Sequence, residues 1–438
     1  MRISVFGLGY VGAVSLGCLA RDGHEVIGVD IDPTKLDLLR RGQSPVIEDG
    51  MQELIANAVG TRGARVTSDT SAAVHGSEIS FLCVGTPPRP NGSQDLSAME
   101  RLCRQLGDAM REKSGFHVFV VRSTVMPGTV EGMVRSAIEE HSGKRLGTDF
   151  GLCFQPEFMR EGSSIRDYDR PPMTVVGGDS ERSVETVRKV FGHLPCPFHV
   201  TTIRIAETLK YFCNIFHALK ITFANEVGRI CQSLRVDPHQ VMELLCKDTQ
   251  LNVSPAYLKP GFAFGGSCLP KDLKALTYMA RLNDVDLPML QAILPSNRLH
   301  VEHAVEVILA AKEKRVGMIG LAFKTGTDDL RESPLVTMAE SLLGKGIALR
   351  IFDPEVNVSR LIGANRRYIE EVIPHIGSLM LDSCEKLIAE SRVVVVGLKT
   401  PELVTALQRN LRDDHIILDL VNLPDRSKLR GRYQGVCW

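Results

Sequence analysis

The first thirty residues constrain the fold most. A short apolar run, Ile3 to Phe6, breaks at Gly7-Leu8-Gly9-Tyr10-Val11-Gly12. A helical pattern follows, and a second apolar run, EVIGVD, ends at Asp30. Strand, glycine turn, helix and strand in that order are the grammar of a dinucleotide-binding unit. Gly7 permits the tight turn, and Gly9 lets the backbone approach a pyrophosphate. Gly12 lets helix and strand pack closely, with the phosphates at the helix N-terminus. A glycine turn by itself is also a common structural device. Here Asp30 closes the second strand at the distance expected of a ribose-binding carboxylate. Asp32 adds negative charge and no arginine follows directly. A 2′-phosphate is repelled there, so NAD is expected over NADP.

Further apolar runs occur at Ile79–Val84, Val118–Val121, Leu152–Phe154 and Met173–Val176, most of them separated by helical stretches. That alternation implies a parallel sheet with helices on both faces. From about Thr202 to Leu234 there is no proline and little glycine. This segment reads as one long helix that bridges domains. A second strand–helix alternation begins at Val316. It echoes the first: VGMIGLAF answers ISVFGLG, LRIFDP answers VIGVDID, and VVVVGLKTP answers ISFLCVGTP. Generic βαβ grammar gives such an echo too. The expected fold class is α/β, with two Rossmann-like doubly wound domains joined by a helical segment with a long central helix. The expected boundaries are 1–201, 202–300 and 301–438.

Composition narrows the function class. The 438 residues are 44% hydrophobic and 24% charged, ordinary for a globular enzyme. Lys plus Arg and Asp plus Glu both count 52. A net charge of zero gives no reason to expect nucleic acid or a membrane surface as partner. The start, MRISVFGLGYVG, already reads as strand and turn rather than as a cleavable signal. No apolar run approaches the roughly 18 residues of a membrane span. The 11 cysteines are scattered without CxxC pairs and are odd in number. A reduced, cytoplasmic protein is the expectation, and no metal is.

Several polar residues stand where ligands bind. Thr86 and Thr124 follow apolar strands, at the carboxyl ends where open α/β sheets take ligands; turn or cap roles suit them equally. Glu157 and Glu161 follow the strand at Leu152 and share one face if that segment is helical. Two such carboxylates hold a ribose or activate a water, or simply sit at a solvated helix start. On the long helix, Glu207, Lys210, Asn214, His217 and Asn225 fall within an arc of about 80°. A polar stripe on so apolar a helix favours a site over a solvent face. In Gly265-Gly266-Ser267-Cys268-Leu269-Pro270-Lys271-Asp272, Ser267 suits a cap and Pro270 a helix start. Cys268 then stands at a helix N-terminus beside Lys271, conditions that make a thiol nucleophilic. Lys324 and Arg331 follow the first strand of the second half and suit a phosphate or a cofactor edge.

Taken in order, GLGYVG, CVGTP, RSTVMPGT, PEFMRE, the Lys210–Asn214 helix, GFAFGGSCLPKD and FKTGTDDLRESP resemble the UDP-glucose/GDP-mannose dehydrogenase family over nearly the whole chain. The resemblance implies an NAD-dependent, four-electron oxidation of a sugar's C6 hydroxyl through a thioester on Cys268. It implies NAD contacts from Gly7, Gly9, Tyr10, Val11, Gly12, Asp30, Lys35, Thr86, Thr124, Lys271 and Arg331. It implies sugar-nucleotide contacts from Glu161, Lys210, Asn214, His217, Asn225 and Lys324. Tyr257, Lys259, Phe262 and Gly265 are implied to reach across from a partner subunit, in a homodimer or dimer of dimers. The mechanism that the resemblance implies has Lys210 and Asn214 as candidates to stabilise the oxyanions, Lys210 or a water on Asp272 as candidate base, Glu157 or Asp272 as candidates to activate the hydrolytic water, and Thr124 as a further candidate catalytic residue. The three segments are implied to bind NAD, to dimerise and catalyse, and to bind the nucleotide sugar.

Within the family, DYDRPPMTVVGG, GTDDLRESP and Cys437-Trp438 favour GDP-mannose as the sugar nucleotide. Ala256 in place of an aromatic and Lys259 in place of an arginine depart from that pattern and leave UDP-glucose open. Two other classes compete: a two-electron hydroxy-acid dehydrogenase, and a non-catalytic nucleotide-sugar sensor. The intact Cys268, Lys210 and Asn214 argue against the sensor. NADH released per sugar separates the three as two, one or none.

Overall fold

The computed structural model describes residues 1–61, 63–91, 93–160, 162–258, 260–266, 269–325, 327–356 and 369–438. The chain packs as two compact units, Met1–Ala218 and Leu219–Trp438.

The first unit is built on eight strands: β1 (Arg2–Phe6), β2 (Glu25–Val29), β3 (Ala64–Thr67), β4 (Ile79–Leu82), β5 (His117–Val121), β6 (Phe150–Phe154), β7 (Thr174–Gly178) and β8 (Phe198–Thr201). Their order is β3-β2-β1-β4-β5-β6-β7-β8. The strands are short and nearly continuous in apolar residues because both faces are covered. Ile3, Val5, Phe81, Val118 and Val120 enter the core on one face. Phe6, Leu82, Phe119 and Val121 enter the core on the other. The chain order reverses between β1 and β4, which opens a crevice at the carboxyl ends of those strands.

One feature departs from an all-parallel sheet. β7 pairs with β6 antiparallel, Phe154 opposite Gly177. Among the described residues between them lies one short helix, Ser164–Asp169. At roughly 9 Å it is too short to carry the chain back along a five-residue strand, and the chain turns instead of crossing over.

The second unit carries a five-stranded sheet of β9 (Arg315–Ile319), β10 (Ala348–Phe352), β11 (Val393–Val396), β12 (Ile416–Asp419) and β13 (Arg432–Gly435). The order is β10-β9-β11-β12-β13, all parallel. The echo seen in the sequence is structural. Gly7 (φ +87) and Gly320 (φ +108) both turn the chain after the first strand. Asp30 then accepts from the N–H of Leu8 at 2.7 Å. Asp353 accepts from those of Leu321 and Ala322 at 2.8 and 3.0 Å.

The long helix spans Ile203–Ser233 and is held at each end by a buried carboxylate. Glu207 accepts from the N–H groups of Gly128 and Val130 at 2.6 and 2.9 Å. Burial raises its carboxyl above the usual range, and those two bonds oppose the rise. Glu226 accepts from Met289 and Leu290 at 2.8 and 3.0 Å. These are the open N–H groups of the helix Pro288–Ala310. Between the anchors, Phe212, Ile215, Leu219 and Ile221 are 48–63% exposed. The helix does lie bare on the single chain, against the expectation that so apolar a helix avoids it. No described helix is long and apolar enough to cross a membrane.

Candidate functional site

At the crevice, the three glycines take three physical roles. Gly7 holds a left-handed φ, and a Cβ there sits 3.0 Å from the backbone of Cys83 and Val84. A Cβ on Gly12 lies 1.8 Å from the Gly7 carbonyl oxygen, so helix and turn touch through bare backbone. A Cβ on Gly9 meets nothing within 4 Å. It faces a cavity of about 640 Å³ whose walls include Gly7, Tyr10, Val11, Asp30, Lys35, Thr86, Arg122, Thr124 and Glu157. A cradle closed behind two glycines and open in front of the third fits a pyrophosphate at a helix N-terminus.

The other predicted cofactor residues of this unit converge on the same cavity. Asp30 is buried; one oxygen accepts from Leu8 and the other from the N–H of Asp32 at 2.9 Å. Each oxygen keeps a lone pair for a ribose hydroxyl. Lys35 Nζ stands 3.6 Å away. Asp32 caps the helix Pro33–Arg40 through the N–H of Thr34. Thr86 donates to the carbonyl of Thr124 at 2.8 Å, tying the loops after β4 and β5 together. Cys83 also lines the cavity, but burial pushes its thiol up to about 12, which makes it inert as a nucleophile.

At one edge of the cavity lies a buried ion pair. Lys210 Nζ is 2.9 Å from the Glu157 carboxylate and donates to the Glu157 carbonyl at 2.7 Å. The two side chains are 8% and 10% exposed. Taking both charges out of water is costly, so the arrangement needs every bond it makes. The ammonium also stands 5.9 Å from the Phe158 ring centre.

Several expectations are corrected here. Residues 155–160 form no helix, so Glu157 does not stand on the helical segment that a shared face with Glu161 required. Glu157 instead accepts from the N–H of Met159 at 2.8 Å, a local turn that competes with a helix. Glu161, Lys259 and Cys268 lie outside the described residues, as does Ser267. The polar stripe divides: Glu207 and Lys210 are buried, whereas Asn214, His217 and Asn225 are exposed. Glu207 is engaged in holding a loop.

In the second unit, the helix Leu269–Leu282 begins directly after Cys268. Lys271 and Asp272 pair with each other at 3.2 Å, each 70% exposed. Tyr257 is 86% exposed. Gly265 is buried, with Glu332 and Pro334 where its side chain would be, and Phe262 packs near the His300 ring. Arg331 makes a two-pronged bond to Asp329 at 2.9 and 2.8 Å, which holds the Asp329 carboxyl below its usual range. Lys324 is exposed.

Sequence reasoning missed residues whose partners are backbone groups far along the chain. Gln94 bonds to the Thr124 carbonyl and the Met126 N–H, at 3.0 and 3.1 Å. Glu48 accepts from Gly162 and Ser164 at 2.8 and 3.0 Å, and Tyr10 accepts from the same Gly162 N–H. Arg122 is buried against the rings of Phe81 and Phe191. Only its strand-end position hinted at a role.

Three family models of the UDP-glucose/GDP-mannose dehydrogenases match the chain: the NAD binding domain over 1–195, the central domain over 204–299 and the UDP binding domain over 317–426. A GDP-mannose 6-dehydrogenase of Pseudomonas aeruginosa is 48% identical over 438 residues, covering all of both chains. A UDP-glucose 6-dehydrogenase of Haloferax volcanii is 36% identical over 362 residues, 81% of this chain and 83% of that one. A crystal structure of a ternary complex of GDP-mannose dehydrogenase from Pseudomonas aeruginosa superposes with a TM-score of 0.96 at 47% identity, covering 100% of both chains.

Proposed function

The chain belongs to the UDP-glucose/GDP-mannose dehydrogenase family, and from that premise we propose that it oxidises GDP-mannose at C6 to GDP-mannuronate, the activated sugar acid of alginate synthesis, using two NAD. One observation carries the reading of the site: a buried Lys210–Glu157 pair at the edge of a glycine-turn cavity. GDP-mannose is preferred over UDP-glucose because the likeness to the GDP-mannose enzyme is complete in length and higher in identity.

NAD, when bound along Gly7–Gly12, Asp30, Lys35, Thr86 and Thr124, supplies the acceptor for each of two hydrides. Lys271 and Arg331 complete its contacts; Arg331 brings its fork already oriented by Asp329. Removing the first hydride and the hydroxyl proton leaves an aldehyde. A water held by Asp272, or Lys210 once its ammonium has given up a proton to become the neutral amine, takes that proton. The Cys268 thiolate adds to the aldehyde carbon, and the resulting oxyanion is held by Lys210 and Asn214. Loss of the second hydride leaves a thioester on Cys268. Water activated by Glu157 or Asp272, next to Thr124, releases the acid and returns the thiol. A buried carboxylate that holds the Lys210 ammonium in place keeps it aimed without solvent competition.

Glu161, His217, Asn225 and Lys324 contact the sugar nucleotide in this reading. The bare stretch of the long helix supports a homodimer or dimer of dimers, with Tyr257, Lys259, Phe262 and Gly265 serving a neighbouring subunit's site. The division at 1–201, 202–300 and 301–438 and a cytoplasmic location belong to the same proposal. The test is NADH per sugar with GDP-mannose beside UDP-glucose. Two NADH from GDP-mannose, with at least tenfold lower efficiency on UDP-glucose, is the expected result; one NADH, or preference for UDP-glucose, overturns it. Cys268→Ser is expected to release at most one NADH per site. Sustained acid formation by that variant refutes the thioester.

A further inference from the structure

In the first unit, residues 93–95 run antiparallel to residues 87–89 just before the helix Ser97–Glu112. The N–H of Arg89 donates to the Ser93 carbonyl and that of Asp95 to the Pro87 carbonyl, at 2.7 and 2.8 Å. Gln94, between them, is half-buried, and its side chain meets three elements. The Met126 N–H donates to its Oε1 at 3.1 Å, and its Nε2 donates to the Thr124 carbonyl at 3.0 Å. The amide's orientation is settled by these partners, because an N–H only donates and a carbonyl only accepts. Thr86, from the loop after β4, donates to the same Thr124 carbonyl at 2.8 Å. The third element is the long helix. Burial raises the Tyr211 phenol, and its bond to the Gln94 side chain opposes the rise. Tyr211 follows Lys210 directly.

The loop after β5 has other fastenings, and they lie on either side of Thr124. The Ser123 hydroxyl donates to the Val84 carbonyl at 2.6 Å. Glu207 takes the N–H groups of Gly128 and Val130. Gln94 spans the stretch between these pins, from the Thr124 carbonyl to the Met126 N–H, with a single amide. Thr124 lines the cavity, and its hydroxyl has no partner among the described residues. We propose that Gln94 is a positioning residue: it sets where the Thr124 hydroxyl stands in the cavity and keeps that point in register with the helical turn bearing Lys210. This rests on the reading of Thr124 and Lys210 as members of the catalytic site. The Asp30 carboxylate bonds elsewhere, to Leu8 and Asp32, so releasing Gln94 leaves the ribose contact in place. Hydride transfer is more demanding than binding, because a displacement of about 1 Å can slow a reaction by roughly a hundredfold. Loosening Thr124 therefore lowers the rate of hydride transfer more than the affinity for NAD.

The experiment uses the full-length protein and Gln94→Met, which keeps the length of the side chain and removes its amide. With enzyme in excess over GDP-mannose, the rate constant of NADH formation in a single turnover is expected to fall about tenfold. NAD titrated by calorimetry should keep its stoichiometry, and its Kd should stay within threefold. The stoichiometry counts intact sites. A variant that is merely damaged loses sites at an unchanged rate per site, whereas misplacement slows every site. Gln94→Glu sets a carboxylate against the Thr124 carbonyl and should be no faster than Gln94→Met. Tyr211→Phe removes one bond and should slow the turnover about threefold; in the Gln94→Met background it should cost nothing further, because the two residues act through that one bond. If Gln94→Met does not fold, Tyr211→Phe carries the comparison with the parent alone. A rate constant within twofold of the parent in either variant overturns the proposal. So do additive costs of the two changes, and so does a loss of rate matched by a loss of sites. Thr124→Val separates the two levels: if it turns over at the parent rate, the reading of Thr124 fails; if it stalls while Gln94→Met works normally, only this inference fails.

Discussion

Gly9→Ala separates the cofactor cradle from the fold that bears it. Gly9 has φ −73 and ψ −161 and is the N-cap of the first helix, Tyr10–Arg21. That backbone is open to alanine, and the added Cβ meets nothing within 4 Å. A Gly→Ala change at a permitted φ shifts stability by less than about 1 kcal/mol, in the favourable direction if at all. The melting temperature should therefore stay within about 3 °C of the parent. Binding should not. A phosphate oxygen accepting from the helix's first N–H groups must come to roughly 2.9 Å, and the methyl occupies that approach. Losing one charge-assisted bond of this kind costs about 1.5–3 kcal/mol, or about 10- to 150-fold in Kd. Gly12→Ala is the contrast. Its Cβ would lie 1.8 Å from the Gly7 carbonyl oxygen, a backbone overlap that no rotamer relieves. That variant should lose both stability, by about 1–3 kcal/mol, and NAD. The assay is isothermal calorimetry with NAD beside thermal unfolding, so no turnover is needed. If Gly9→Ala binds NAD within twofold of the parent, the turn is not the pyrophosphate cradle and the reasoning fails.

Three further outcomes are expected. Lys210→Met should abolish acid formation and, by stranding the buried Glu157 charge, destabilise the first unit by about 3–5 kcal/mol; Lys210→Met with Glu157→Leu should be closer to the parent than either single change, read by thermal unfolding. Asp167 is held at about 2 by its bonds to Arg160, below the 3.8 of an ordinary aspartate. Its contribution should be complete above pH 4 and vanish as pH falls towards 2, so the stability gap to Asp167→Asn, on the order of 1–2 kcal/mol after allowing for the exposed arginine, should close in that window; a gap constant from pH 7 to 2 contradicts this. Asp30, buried and already bonded to Leu8, should hold NADP at least a hundredfold weaker than NAD by calorimetry, and equal affinities would remove the charge argument.

The parts legible in the sequence are those written locally. Glycine spacing, apolar runs and the proline-free stretch before Leu234 each report on their own few residues, and each became a turn, a strand or the long helix. Strand direction is not written that way: nothing in Thr174–Gly178 distinguishes an antiparallel neighbour from a parallel one. The Glu157 segment misled because helical spacing was read where Pro156 and a side-chain turn decide the backbone. The polar stripe was real as a pattern, but pattern says nothing about burial, and Glu207 went to a loop while Asn214 stayed exposed. Gln94 and Glu48 escaped for one reason. They recognise backbone groups 30 and 116 residues away, and a backbone group leaves no mark in a side-chain pattern.

The two carboxylate anchors on the long helix also set an order of events during synthesis. Glu207 needs only the loop at Gly128 and Val130, which has left the ribosome long before it. Glu226 must wait for Met289 and Leu290, more than sixty residues later. At about 5–20 residues per second, that delay lasts for several seconds. Throughout it the helix is fastened at its start and free at its end, with Phe212, Ile215, Leu219 and Ile221 uncovered. A nascent chain in that state presents its stickiest surface to whatever is nearest. On a crowded message the nearest body is another copy at the same stage, so speed of translation through residues 226–290 becomes a determinant of yield.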